Sequence, residues 1–261
     1  MTYASWYERS AVTLHHRIEN HVLMKMEIKA CKPWKMLHPA YMIELGMAAE
    51  PDHALVESGL RGIMNRFPGM RLVACRRPSL GTNVRFSVST ALLDALAHER
   101  GCTTTELLAS IIQASQEDVW NSTLFRKGSR PRLYVSDNPC SPASFHLYRN
   151  GSMRRSRIPA FGCNSRTFCN LGELYLSDEL AGRLCSFDFR ISRQPGRGNA
   201  CTAFNFGGRT IINCSRRIRE HEIEYFFFER LRAAGLDAIV EQSPKPAPLP
   251  RCMVRIAYRA L

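Results

Sequence analysis

Two adjacent histidines occur once in this chain, in the run His15-His16-Arg17-Ile18-Glu19-Asn20. A neutral imidazole near its ordinary pKa can accept a proton from an alcohol or an amine, which makes such a pair a candidate for general-base chemistry. Two surface or strand histidines with no chemical role would read the same way. Glu220, His221, Glu222 and Glu224 resemble a ligand cluster, but a solvated helix face accounts for them. Gly196-Arg197-Gly198 is too short to cradle a phosphate. Ten cysteines are spread along the chain without a Cys-x-x-Cys pair, so no metal site is expected. Cys185, Cys201 and Cys214 fall inside strand-like runs and read as small buried apolar residues.

The 261 residues are enough for one large domain or two small ones with a real core. Apolar residues make up 45% and charged residues 23%, which excludes a disordered chain. Lys and Arg number 36 against 23 Asp and Glu, a formal net charge of +13. That field favours polyanions: nucleic acid, anionic membrane, phosphorylated cofactors or acidic proteins. A basic solvated surface without a specific partner is the simpler reading of the same charge. The first 30 residues hold several charges and no apolar run, so no signal peptide is read there, and a cytoplasmic location is expected. No segment approaches the ~18 apolar residues of a membrane span.

The elements that must position any chemistry are clearest in two places. Arg85–Val88 reads as a strand, followed by a helix carrying Leu92, Leu93, Leu96 and Ala97 and ending at Gly101. Thr103-x-x-Glu106 is a capping box that opens a second helix with Leu107, Leu108, Ile111 and Ile112 inward. The second place is 167–235. Asn170-Leu171-Gly172 reads as a turn, with Gly permissive and Asn bonding locally, leading into a short apolar strand. Ser177-Asp178-Glu179-Leu180 starts a turn or helix, and Cys185–Ile191 alternates as a half-buried strand does. Ala200–Phe206 and Arg209–Cys214 flank Gly207-Gly208, a pair suited to a primed hairpin turn. Glu220–Ala234 is a helix with Ile223, Phe226, Phe227, Leu231 and Ala234 on one face, stopping at Gly235. Earlier, Met42–Met47 is a strand, and Asp52 caps a helix over 52–67 with Val56, Leu60, Ile63, Met64 and Phe67 inward. Arg132–Val135 is a further strand, 141–166 an irregular connection, and 243–250 a Pro-rich linker before a last strand.

Cys169-Asn170-Leu171-Gly172, Leu176-Ser177, Phe187-Asp188-Phe189 and the run from Ser215-Arg216-Arg217-Ile218 through Glu224 to Phe227-Phe228 together resemble one family. It is the chloramphenicol-acetyltransferase-like superfamily, which includes peptide-synthetase condensation domains and alcohol acetyltransferase-like enzymes. Arg66-Phe67-Pro68 at a helix end, and the strand with two helices over 84–116, resemble further blocks of it. The resemblance implies transfer of an acyl group from acyl-CoA or an acyl carrier protein to a small alcohol or amine. It implies no bound cofactor, the thioester being a co-substrate. It implies His16 as the base, from the second position of a His-His-x-x-x-Asp-Gly motif, with His15 structural and Asn20 in place of the Asp. It implies a substrate-binding role for Asn170 and Gly172. The chain departs from the pattern in order: His15-His16 precedes Arg66-Phe67-Pro68, and only a dozen residues separate Leu72 from Arg85. The catalytic block is therefore missing or displaced, and a shortened inactive relative is an equal expectation.

The expected fold is α/β: a mixed sheet of 132–135, 185–191, 200–206 and 209–214 with packed helices, part of a chloramphenicol-acetyltransferase-like sandwich. The expected organisation is an N-terminal segment 1–83 with helix 52–67, an acyltransferase-like core 84–243, and a linker with terminal strand 244–261. A second reading, from a different class, is a ribbon–helix–helix DNA-binding protein. There Arg85–Val88 is a ribbon in the major groove, and Arg85 with Ser87 or Ser89 reaches base edges. Nucleic acid is a partner only in that reading.

Overall fold

Apolar residues alternating with period two build the smaller of two sheets. A computed structural model describes residues 22–30, 41–50, 52–67, 70–74, 83–121, 133–136, 166–191, 199–216 and 222–242. In β1 (Val22–Ala30) Met24, Met26 and Ile28 are buried, and in β2 (Tyr41–Met47) Tyr41, Ile43, Leu45 and Met47. In β7 (Leu184–Ile191) the set is Phe187, Phe189 and Ile191. Each set shares one face of its strand. With β3 (Met70–Ala74) these strands pair antiparallel in the order β3-β1-β2-β7. The Tyr41 ring stacks on Phe189 at 5.4 Å and meets Phe67 at 4.7 Å, so aromatic contacts lock the sheet to the helix end behind it.

The larger sheet has six strands. They are β4 (Asn83–Ser89), β5 (Leu133–Ser136), β6 (Arg166–Glu173), β8 (Asn199–Phe206), β9 (Arg209–Arg216) and β10 (Ile239–Gln242). Their order is β10-β4-β9-β8-β6-β5. The pairs β5–β6 and β6–β8 are parallel and the rest antiparallel, so the sheet is mixed. Gly207 and Gly208, at φ 60° and 72°, make the β8–β9 turn. Only residues free to take positive φ at both positions fit a primed turn of that kind.

Helices α3 (Thr90–Glu99), α4 (Thr104–Asn121) and α6 (Glu222–Ala233) cover one face of the six-stranded sheet. There Phe86, Phe168, Ala203 and Ile212 meet Leu93, Leu108, Phe227 and Leu231, with the Phe86 and Phe227 rings edge-on at 5.0 Å. The capping box forms as read: Thr103 Oγ1 accepts from the Glu106 N–H at 3.2 Å, and the Glu106 carboxylate accepts from the Thr103 N–H at 2.8 Å. α3 and α6 both close with a glycine at positive φ, Gly101 and Gly235. In each the N–H after the glycine reaches back to the third-last helical carbonyl: Cys102 to Ala97, Leu236 to Leu231. On the other face, Cys169, Leu171, Phe204 and Ile211 join the core of the small sheet, with Leu60, Ile63 and Leu180 from short helices. These are α1 (His53–Gly59), α2 (Arg61–Met64) and α5 (Asp178–Ala181). The fold is α/β, with helices, a six-stranded mixed sheet and a four-stranded antiparallel sheet in successive layers.

Several expectations change. The 185–191 strand lies in the four-stranded sheet and not with 200–214: its backbone pairs with β2, while the Phe187 ring packs across on Phe204 and Phe206 of β8. The ladder between β2 and β7 runs across the division drawn at residue 83. The helix expected over 52–67 breaks at Leu60, where Gly59 and Gly62 bring the chain against Leu180 and the Tyr175 carbonyl. Asn170-Leu171-Gly172 sits inside β6 and does not precede a strand. Cys185 is exposed. Glu224 is buried against Arg216 at 3.2 Å and is no part of a solvated face. Among the described residues, no helix is long and apolar enough to cross a membrane.

The ribbon reading loses its geometry. β4 is paired along both edges, by β9 and β10, so it has no free edge for the ribbon of a second copy. Arg85 is 8% exposed and held by two carboxylates, out of reach of a base edge.

Candidate functional site

Asn170 and Gly172, two residues to which the resemblance gives a substrate role, lie where β6 departs from a regular ladder. The register with β8 shifts between Asn170 and Glu173. Gly172 takes φ +65° there, a conformation that strains residues with a Cβ. The Asn170 amide oxygen accepts from the Gly172 N–H at 2.9 Å, and its Nδ2 donates to Thr105 Oγ1 at 2.8 Å. One side chain thus fixes the bulge to the first turn of α4. Beyond Gly172 the space is open: among the described residues, no atom lies within 4 Å of where a Cβ would be.

The third partner of this bulge comes from the N-terminal part of the chain. Arg66, just past α2, donates through Nη1 to the Leu171 carbonyl at 2.5 Å. Neighbouring Phe67 is buried between Tyr41 and Phe189 and sets the direction in which Arg66 leaves the core. Arg66, Thr105 and Asn170 therefore come together from three separate sequence blocks. Arg66 and Asn170 each belong to a motif run, but spacing alone gives no sign that they meet.

A second polar assembly lies between the sheets. Asp188 on β7 sits 3.5 Å from Arg85 Nε on β4, and Arg85 Nη1 is 3.4 Å from Glu241 on β10. Asn213 on β9 donates to Asp188 at 3.4 Å and to the Phe189 carbonyl at 3.1 Å. Thr202 on β8 also donates to that carbonyl, at 2.6 Å. Burial pushes the Asp188 carboxyl up to about 6, with Arg85 opposing, Glu241 adding to the rise and Asn213 opposing. Nearby, Arg190 pairs with Glu44, which Lys25 also reaches at 3.4 Å. Arg85, Asp188, Asn213 and Glu241 are each at most 8% exposed, so this seam holds the two sheets in register and is closed to a substrate. Sequence alternation places Asp188 and Arg85 opposite the phenylalanines beside them, a pattern that reads as a solvent face. The missing signal is that both faces of these strands are covered.

His15, His16 and Asn20 lie outside the described residues. Among the described residues no group of His, Cys, Asp and Glu is arranged to hold a metal ion.

No family model matches the chain, and no curated protein matches it. One solved structure it is similar to is described as "Molecular basis for condensation domain-mediated chain release from the enacyloxin polyketide synthase". The identity is 12%, the TM-score 0.36, and the match covers 77% of this chain and 50% of that one. The chain thus spans half the length of that structure, and a likeness at this TM-score says nothing about activity or partners.

Proposed function

We propose that the chain is an acyltransferase-like protein, moving an acyl group from acyl-CoA or an acyl carrier protein to a small alcohol or amine. The observation that carries this reading is the bond from Arg66 to the Leu171 carbonyl. Two blocks that resemble the superfamily separately, one ending Arg66-Phe67-Pro68 and one containing Asn170-Leu171-Gly172, meet at a single bulge. The open space over Gly172 would admit the acceptor. His16 would take its proton as the thioester carbonyl is attacked, His15 would be structural, and Asn20 would orient the loop by uncharged hydrogen bonds. The net charge of +13 suits CoA phosphates or an acidic carrier protein.

The test is release of free CoA from short acyl-CoA donors against a panel of alcohols and amines, for wild type and His16→Ala. A general base contributes about 10²–10⁴-fold, so its loss is easily read. Equal rates in the two proteins would remove His16 from the mechanism. A second reading, a shortened non-enzymatic relative, is favoured by one observation: β3 ends at Ala74 and β4 begins at Asn83. The superfamily places a motif-bearing subdomain in that interval. Two silent proteins would support that reading.

A further inference from the structure

Cys201 on β8 and Cys214 on β9 stand directly opposite each other in the antiparallel ladder. Their sulfurs are 3.1 Å apart and share a thiol hydrogen bond. Opposed residues of an antiparallel pair have Cα atoms about 4.5–5.5 Å apart, within the range of about 4.4–6.8 Å that a disulfide spans. The sulfurs need to close by only about 1 Å to reach bonding distance. Both thiols are free, Cys214 buried and Cys201 half-buried, on the face of the sheet covered by α6. We propose that Cys201 and Cys214 form an oxidative modification site, a cross-strand dithiol that is closed to a disulfide by low-molecular-weight disulfides such as oxidised glutathione.

The reaction balances by two exchanges. The Cys201 thiolate attacks one sulfur of oxidised glutathione, the glutathione S–S bond breaks, and one glutathione leaves as a thiolate that takes up the proton. Cys214 then attacks the Cys201 sulfur of the mixed disulfide and expels the second glutathione. Two protein thiols are oxidised and one glutathione disulfide is reduced. Cys201 is the entry point because it is the more exposed of the two. The hydrogen bond to Cys201 first, then burial, push the Cys214 thiol well up, with Glu224 adding to the rise and Arg216 opposing it. The second exchange therefore speeds up as pH rises, since it needs the Cys214 thiolate. Proximity offsets the small thiolate fraction, because the attack is intramolecular.

The test uses the whole folded protein. Oxidised glutathione is raised until the exposed Cys185 is modified, remaining thiols are alkylated, and tryptic peptides are read by mass. Cleavage after Arg209 puts Cys201 and Cys214 on separate peptides, 198–209 and 210–216. The expected product is these two peptides joined, released again by dithiothreitol. In Cys214→Ser the expected product is Cys201 carrying glutathione, and in Cys201→Ser an alkylated Cys214. Wild type with Cys185 modified but Cys201 and Cys214 both alkylated would overturn the proposal. So would cross-links of either cysteine to other cysteines in place of this pair.

Discussion

Arg66 reaches across 105 positions of sequence to donate to the main-chain carbonyl of Leu171. Replacing it by methionine keeps much of the stem and removes the donor, leaving a part-buried carbonyl unpaired. Arg66→Met should lower the unfolding free energy by about 1–3 kcal/mol. Gly172→Ala should cost about 1–2 kcal/mol through its positive φ alone, since nothing crowds the added methyl. Both changes act on one bulge, so the double variant in a urea titration should fall short of the sum.

Asp188 makes stability depend on pH in a direction opposite to a surface-paired carboxylate. Its folded pKa, about 6, lies above the ordinary 3.8, so the folded state holds the proton more tightly. The stabilisation is complete below the lower value, falls as pH rises, and is gone above about 6. Urea midpoints of Asp188→Asn should be flatter than wild type across that window. Arg85→Met should steepen the fall, because Asp188 and Glu241 would then face each other without a cation. At neutral pH that variant should lose about 3–5 kcal/mol, as happens when one partner of a buried pair is removed.

Gly59 is required by its neighbour on α5. A Cβ there would lie 2.4 Å from Leu180 Cδ2 and 2.8 Å from Leu180 Cβ. Gly59→Ala should therefore destabilise by about 1–3 kcal/mol although alanine favours helix. In a Leu180→Ala background the penalty should shrink, since the closest clash is gone, giving a coupling of about 0.5–3 kcal/mol in a double-mutant cycle.

Retention on generic duplex DNA should be weak and should vanish at moderate salt, as expected of unspecific charge. Sequence-selective binding that survives such salt would contradict this. Arg85→Ala is not an informative variant for it, since Arg85 serves the buried seam.

What was legible in the sequence was local. The capping box, the glycine stops at 101 and 235 and the Gly207-Gly208 turn are each fixed by a few adjacent residues, and each formed as read. What depended on distant partners was not legible. Cys185–Ile191 alternates correctly, but nothing in it says whether Phe189 faces Tyr41 or the strands of the hairpin. Glu224 looks solvated on a helical wheel because its partner Arg216 belongs to a strand end. At the candidate site Asn170 and Gly172 are picked out by the family resemblance, and their local turn chemistry is readable from adjacent residues, whereas the arrival of Arg66 and Thr105 beside them requires the fold. β10 is a four-residue run whose Glu241 lies 156 positions from its partner Arg85 on β4, so no local signal marks it. β1 has nine residues and a partner close in sequence, and its alternation of Met24, Met26 and Ile28 with charged residues was legible but not read.

The position of β4 also bears on how the chain folds. Its ladders join it to β9 and to β10, and the Arg85–Glu241 contact spans 156 positions. Such high contact order makes folding slow, because a long loop must close before pairing can repay it. During synthesis α3 and α4 can form early from their own caps. The outer edge of β4 is closed only by residues 239–242, and β4 has no partner strand in its sheet at all until β9, residues 209–216, has emerged. Until then the apolar faces of β4 and of both helices are exposed together, and that is the interval in which the nascent chain is most prone to aggregate.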